Sequence, residues 1–81
     1  MMSLLYFGRF SDIGNSGLAD VPDSVTDTDS LTAWLCAEYD GFESEMLRAG
    51  ARIAVNKTVI TENTPLIQGD EIAFMSALSG G

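Results

Sequence analysis

Apolar positions alternate most regularly near the two ends of the chain. From Leu4 to Phe10, the set Leu4, Tyr6, Gly8 and Phe10 interleaves with Leu5, Phe7 and Arg9, which predicts a strand whose two faces both begin apolar. Such a strand sits inside a sheet, or offers its second face to a partner. Near the other end, Glu71 to Met75 sets Ile72 and Phe74 against Ala73 and Met75 and predicts a second strand of the same kind. Carrying the strongest alternation, these two strands are expected side by side at the centre of the sheet. Three weaker segments complete it. A short strand around Leu18–Val21 is followed by Pro22 and Asp23, which favour an edge. Ala51 to Asn56 alternates through Ile53 and Val55, and Asn56-Lys57 reads as a turn into Thr58 to Thr61.

Between these strands the period changes. Asp27 is a good N-cap, Asp29 falls in the first turn where the helix dipole favours negative charge, and the helix is predicted from Thr28 to Tyr39. Leu31, Trp34, Leu35 and Tyr39 share one face of the helical wheel, so Trp34 and Tyr39 are expected as core aromatics. Glu38 falls on that face at its fraying end, where it can escape to solvent. Gly41 breaks the run, Phe42 could extend its apolar face, and a second short helix is expected over Glu43 to Leu47. Turn chemistry marks Ser11–Gly17, Thr64-Pro65 and Gln68-Gly69-Asp70. One main helix across a mixed sheet is an α+β architecture. A single domain over residues 1–75 with a C-terminal tail over 76–81 is expected.

Composition narrows the chemistry. A chain of 81 residues removes only about 60% of its unfolded surface on folding, enough for one modest core. There is no histidine and one cysteine, Cys36, which excludes a Ser-His-Asp triad, a Cys-His pair, a His-rich metal site and an internal disulfide. Four basic against twelve acidic residues give a net charge of −8. The bases Arg9, Arg48, Arg52 and Lys57 are scattered, so neither nucleic acid nor an anionic membrane is an expected partner. Asp20, Asp23, Asp27 and Asp29 read as a solvated rim. The apolar run near the start is too short for a signal sequence or a membrane span, and the expected location is the cytoplasm. Cys36 lies beside the apolar helix stripe with no basic neighbour in sequence, which favours a bystander over a sulfur relay.

The sequence closes on Gly80-Gly81. Two glycines attached to a carboxylate can enter a channel too narrow for any Cβ. Six residues beyond Met75 reach roughly 20 Å, deep enough to put the carboxylate inside another protein.

Several segments in this order carry a resemblance. They are Leu5-Tyr6-Phe7-Gly8-Arg9 in the first strand, the helix around Leu31 and Leu35, and Ala54-Val55-Asn56. More specific still are Thr64-Pro65-Leu66, then Gly69-Asp70-Glu71-Ile72-Ala73-Phe74, closing on Ser79-Gly80-Gly81. The chain resembles, from end to end, the small-subunit family of molybdopterin synthase, ubiquitin-like sulfur carriers with the β-grasp fold. The resemblance implies that a ubiquitin-activating-like adenylyltransferase uses ATP-Mg to adenylate Gly81. A sulfur donor system then converts the C-terminus to a thiocarboxylate. Inserted into the large synthase subunit, in a heterotetramer, the tail passes sulfur to cyclic pyranopterin monophosphate. Gly81 is then the reacting residue and Gly80 provides steric access, while no cofactor or metal is expected on this chain. If Leu4, Tyr6, Ile72 and Phe74 face the helix, then Leu5, Phe7, Ala73 and Met75 face outward. With Val59 they are expected to form an exposed apolar partner-binding patch, which Leu78 and Ser79 extend along the tail. One departure stands out: the family usually has two prolines where this chain has Ser76-Ala77, which should leave the tail more mobile. A carrier of another pathway, such as thiazole synthesis, shares the fold and the chemistry. A ubiquitin-like interaction module or protein modifier is the reading from a different class.

Overall fold

The computed structural model describes residues 1–76. The expectations for Ala77, Leu78, Ser79, Gly80 and Gly81 therefore lie outside the described residues. Five strands form one sheet: β1 (Met2–Phe7), β2 (Gly17–Ala19), β3 (Arg52–Val55), β4 (Thr58–Ile60) and β5 (Glu71–Met75), in the spatial order β2-β1-β5-β3-β4. β1 and β5 run parallel at the middle, with Leu4 opposite Ile72 and Tyr6 opposite Phe74. β3 is antiparallel to both β5 and β4, and β2 is antiparallel to β1. The sheet is thus mixed, with the two strongly alternating strands adjacent and the Pro22-flanked strand at an edge, as the pattern predicts.

One face of the sheet is covered by the main helix, α1 (Thr28–Glu38), and a short helix, α2 (Phe42–Met46). Leu31 and Leu35 of α1 and Phe42 of α2 are buried against Met2, Leu4, Tyr6, Ile72 and Phe74. Period-2 and period-3.6 apolar sets meet in one core, which is what a chain of this size can stabilise. The helix wheel overreached at its far end. Trp34 packs only partly against the core, and Tyr39, expected inside, is exposed because α1 stops at Glu38. Glu38 is exposed, as expected for a fraying end. Gly41 enters α2 with φ of 86°, a conformation costly for any residue with a Cβ, and so turns the chain to bring Phe42 inward.

The first strand ends earlier than its alternation implies. Gly8 to Phe10 do not continue β1; they open a 3₁₀ helix, Gly8–Asp12. Gly8 has φ of 62°, which a strand cannot accommodate, and the chain turns there. Phe10 nevertheless reaches full burial, with its ring 5.2 Å from that of Phe42 and 6.0 Å from that of Phe74. The remaining differences are small. β2 occupies Gly17–Ala19, so Val21 enters the core from a loop, and α2 begins at Phe42 itself. Asn56 and Lys57, with φ of 49° and 72°, make the two-residue β3–β4 turn.

The entry to α1 is the most heavily hydrogen-bonded local feature. Asp27 Oδ1 accepts from the Ser30 backbone N–H at 2.8 Å and from the Ser30 hydroxyl at 2.6 Å, while the Asp27 backbone N–H donates to Ser30 Oγ. This is a capping box with serine in the reciprocal position. Asn63 ties the loop before β5 to the same helix end. Its Oδ1 accepts from the Asp29 N–H at 2.9 Å and its amide donates to Asp27 Oδ2 at 3.1 Å. The hydroxyl of Ser30, its backbone N–H and the amide of Asn63 hold the Asp27 carboxyl below the usual carboxylate range. A lowered folded-state value means stability that is present above the unfolded aspartate range and lost as pH falls through the folded value. Asp27→Ala is therefore expected to lower the melting temperature at neutral pH and to flatten the acid limb of a stability-versus-pH curve. Thermal melts of both proteins between acidic and neutral pH check it.

Candidate functional site

Among the described residues, no helix covers the second face of the sheet. Its composition follows from the same register. With Leu4, Tyr6, Ile72 and Phe74 turned to the core, Leu5 stands beside Ala73 and Phe7 beside Met75 on the opposite face. β3 adds Ala54 next to Ala73 and Arg52 next to Met75, and β4 sets Val59 against Ala54. Across the sheet this gives one row running Leu5, Ala73, Ala54, Val59. A second row, Phe7, Met75, Arg52, lies nearer the end from which the chain leaves β5. Beyond the first row, in the other direction, Ser3 pairs with Glu71 and marks the polar border.

Four of the five expected patch residues within the described region have accessible surface, and the fifth has little. Phe7 is 51% exposed and Val59 is 53% exposed, while Leu5 and Met75 are half-buried. Ala73, expected to be exposed, is only 9% accessible. It faces outward on the central strand, but its methyl group lies below the top of the longer Leu5 side chain beside it. The first row is therefore large, small, small, large, with the alanine pair flooring a shallow saddle between Leu5 and Val59. Exposed apolar groups clustered on one sheet face of so small a domain fit a protein contact better than solvent. Leu78, Ser79, Gly80 and Gly81 lie outside the described residues.

The chain leaves this face through Ser76. Ser76 Oγ accepts a hydrogen bond from the backbone N–H of Arg9 at 2.9 Å, joining the end of β5 to the start of the 3₁₀ helix. Gly8 lies against the same hydroxyl, and a Cβ built on Gly8 would fall 1.9 Å from Ser76 Oγ. Neither feature appears in the alternation reading, which treated Gly8 as a strand position. A lone glycine inside a strand pattern signals a bulge or a close backbone approach, and that signal was available.

Other chemistry is sparse. Among the described residues no three His, Cys, Asp or Glu side chains gather as a metal would require. Cys36 is partly buried, and burial, with a smaller contribution from Glu43, pushes its thiol up, away from the reactive thiolate. A cleft between α1 and the β3–β4 edge is lined by Thr28, Asp29, Ile53, Ile60 and Asn63. Within it Asn63 is engaged in holding the helix end, its Oδ1 accepting from the Thr28 hydroxyl and from the Asp29 backbone N–H. No helix among the described residues is long and apolar enough to cross a membrane.

Among the described residues, an uncovered apolar sheet face and a chain exit at its edge fit a module that is handled by other proteins. Comparison with known sequences decides which kind. Residues 4–81 match the ThiS family. The chain belongs to that family. It is a small ubiquitin-like sulfur carrier with the β-grasp fold, and the family match extends through Gly80 and Gly81. A curated relative, the molybdopterin synthase sulfur carrier subunit of Escherichia coli (strain K12), is 25% identical over 81 residues, covering 100% of both chains. For a ThiS-family carrier, the helix-free sheet face and the Ser76 exit acquire a direction: both stand at the root of the segment that ends in Gly81.

Proposed function

We propose that this chain carries sulfur for molybdenum cofactor biosynthesis, as the small subunit of a molybdopterin synthase. The observation that carries this is the end-to-end likeness to the molybdopterin synthase sulfur carrier subunit, with no unmatched length on either side. In this reading a carboxylate oxygen of Gly81 attacks the α-phosphorus of ATP, held with Mg by a ubiquitin-activating-like adenylyltransferase, and pyrophosphate leaves. A sulfide-level nucleophile from a sulfur donor system then attacks the carbonyl carbon of the mixed anhydride. The carbon–oxygen bond to AMP breaks, and the C-terminus becomes a thiocarboxylate. In the large synthase subunit that sulfur attacks an electrophilic carbon of cyclic pyranopterin monophosphate. Water cleaves the resulting acyl–sulfur bond and restores the Gly81 carboxylate. Two deliveries complete a dithiolene.

The residues of this chain contribute placement. Gly80 has no Cβ to obstruct a narrow channel, and Leu78 and Ser79 line the approach. Leu5, Phe7, Val59, Ala73 and Met75 form the surface against which the large subunit and the adenylyltransferase dock in turn. ATP-Mg is used by the activating enzyme, no cofactor is held by this chain, and the setting is cytoplasmic.

Intact mass measured after incubation with a matched activating enzyme, ATP-Mg and a sulfur source tests the reading. The expected result is a gain equal to sulfur replacing one oxygen. An unchanged mass, with an enzyme that modifies its own carrier under the same conditions, leaves a ubiquitin-like interaction module instead. A ThiS-family carrier serving thiazole synthesis would show the same gain. Capture of a large molybdopterin synthase subunit, and not of a thiazole-forming partner, separates the two.

A further inference from the structure

We infer that the hydroxyl of Ser76, clasped by the backbone N–H of Arg9 and seated against Gly8, is a positioning device that fixes the direction in which the C-terminal segment leaves the domain. This deepens the sulfur-carrier reading and rests on Gly81 being the reacting end.

Three observations converge on the clasp. The hydrogen bond from Arg9 N–H to Ser76 Oγ is 2.9 Å long and joins residues 67 apart in sequence, so it is a tertiary contact rather than local turn chemistry. Gly8 leaves room for it: a side chain there would place its first carbon 1.9 Å from the hydroxyl oxygen and 3.2 Å from Ser76 Cβ. The Gly8 carbonyl is itself held, accepting from the Ser11 hydroxyl at 2.6 Å. Both halves of the clasp are bolted to the core. Phe10 follows Arg9, Phe74 precedes Met75 and Ser76, and these two fully buried rings lie 6.0 Å apart.

The consequence is entropic. Fixing a residue's backbone costs conformational entropy when the chain must order it during binding. A residue already fixed in the free carrier does not incur that cost on entering a partner. The clasp therefore lowers the concentration of carrier needed to fill a partner's channel. It leaves the reaction of the bound carboxylate alone, because Ser76 is five residues from Gly81.

Steady-state release of pyrophosphate by a matched activating enzyme, with the full chain as the varied substrate, reads this out. Ser76→Ala is expected to raise KM for the carrier about threefold to tenfold with kcat unchanged, as loss of part of one residue's preorganisation requires. Ser76→Thr, which keeps the hydroxyl, restores the wild-type KM. Gly8→Ala breaks the clasp from the other side, and combined with Ser76→Ala it adds no further rise in KM. In amide hydrogen exchange, the Arg9 N–H is protected in the wild type and in Ser76→Thr and exchanges faster in Ser76→Ala. An unshifted KM in Ser76→Ala beside faster Arg9 exchange overturns the positioning role, since the bond would then be structural only. An unprotected Arg9 amide in the wild type overturns the clasp itself. A wild-type chain that releases no pyrophosphate with an enzyme active on its own carrier overturns the reading of Gly81, and the positioning role with it. An active wild type with an unshifted variant overturns the positioning role alone and leaves the reading of Gly81 standing.

Discussion

Removing Gly81 is expected to abolish acquisition of sulfur while leaving the melting temperature unchanged. The loss should be complete rather than partial, even though Gly80 would then present a glycine carboxylate of the same chemistry. Shortening the chain by one residue withdraws the reacting carbon by about 3.4 Å. Misplacement of a reacting group by 1 Å already costs about a hundredfold in rate. The retreat also moves Ser79 into the penultimate position, so a Cβ would stand where the proposed channel meets glycine. Stability should not follow. The buried core runs from Met2 to Phe74, and the last described hydrogen bond of the chain is the one at Ser76. Intact mass after the activation reaction and a thermal melt of the same sample check both halves. A melting temperature lowered by several degrees would mean that Gly81 packs on the domain, which is incompatible with a free reacting end.

The sequence was legible where one periodic signal had one physical meaning. β5 is found over Glu71–Met75 as predicted, because Ile72 and Phe74 alternate with Ala73 and Met75 between an upstream turn and the tail. The α1 start was readable because Asp27 is both a cap and the last residue before apolar residues at helical spacing. The orientation of the sheet faces also came out correctly, since burying Tyr6 and Phe74 together leaves Phe7 and Met75 on the other side.

Failures occurred where a residue type has two uses. Tyr39 has the right helical spacing for the core, but a periodic argument cannot know that α1 ends one residue earlier. Ala73 faces the expected side, yet exposure depends on the height of its neighbours, which parity does not contain. Ser76 was read by what it lacks, the ring of a proline. What it contributes is an acceptor for an N–H presented by a segment 67 residues away. No one-dimensional pattern records that pairing. The two terminal glycines, which carry the proposed chemistry, drew their meaning from the family and not from periodicity.

Phe7 and Phe10 separate folding from recognition within three residues of each other. The strand reading set them on opposite faces of one continuous strand, and the structure reaches the same segregation by a different route. Phe7 ends β1 on the uncovered face, while Phe10 is carried into the core by the 3₁₀ helix that Gly8 begins. Phe10 is 0% exposed and its ring contacts those of Phe42 and Phe74. Phe10→Ala is therefore expected to cost about 3–5 kcal/mol, the transfer and cavity contributions of a buried aromatic. For a domain of this size that corresponds to a fall of roughly 15–30 °C in melting temperature. Total stability of small domains is about 5–15 kcal/mol, so the variant should be partly unfolded at 37 °C. Phe7→Ala should lose less than about 1 kcal/mol of folding stability, because half the ring is already in water. Its effect should appear against a large synthase subunit, where a central aromatic contact is commonly worth about 2 kcal/mol, or some thirtyfold in Kd. Denaturant melts and a binding isotherm on the two variants give four numbers. The expected pattern is a collapse of stability in one and a loss of affinity in the other. If Phe7→Ala instead lost several kcal/mol of stability at unchanged affinity, the uncovered face would not be the docking surface, and the tail alone would have to account for recognition.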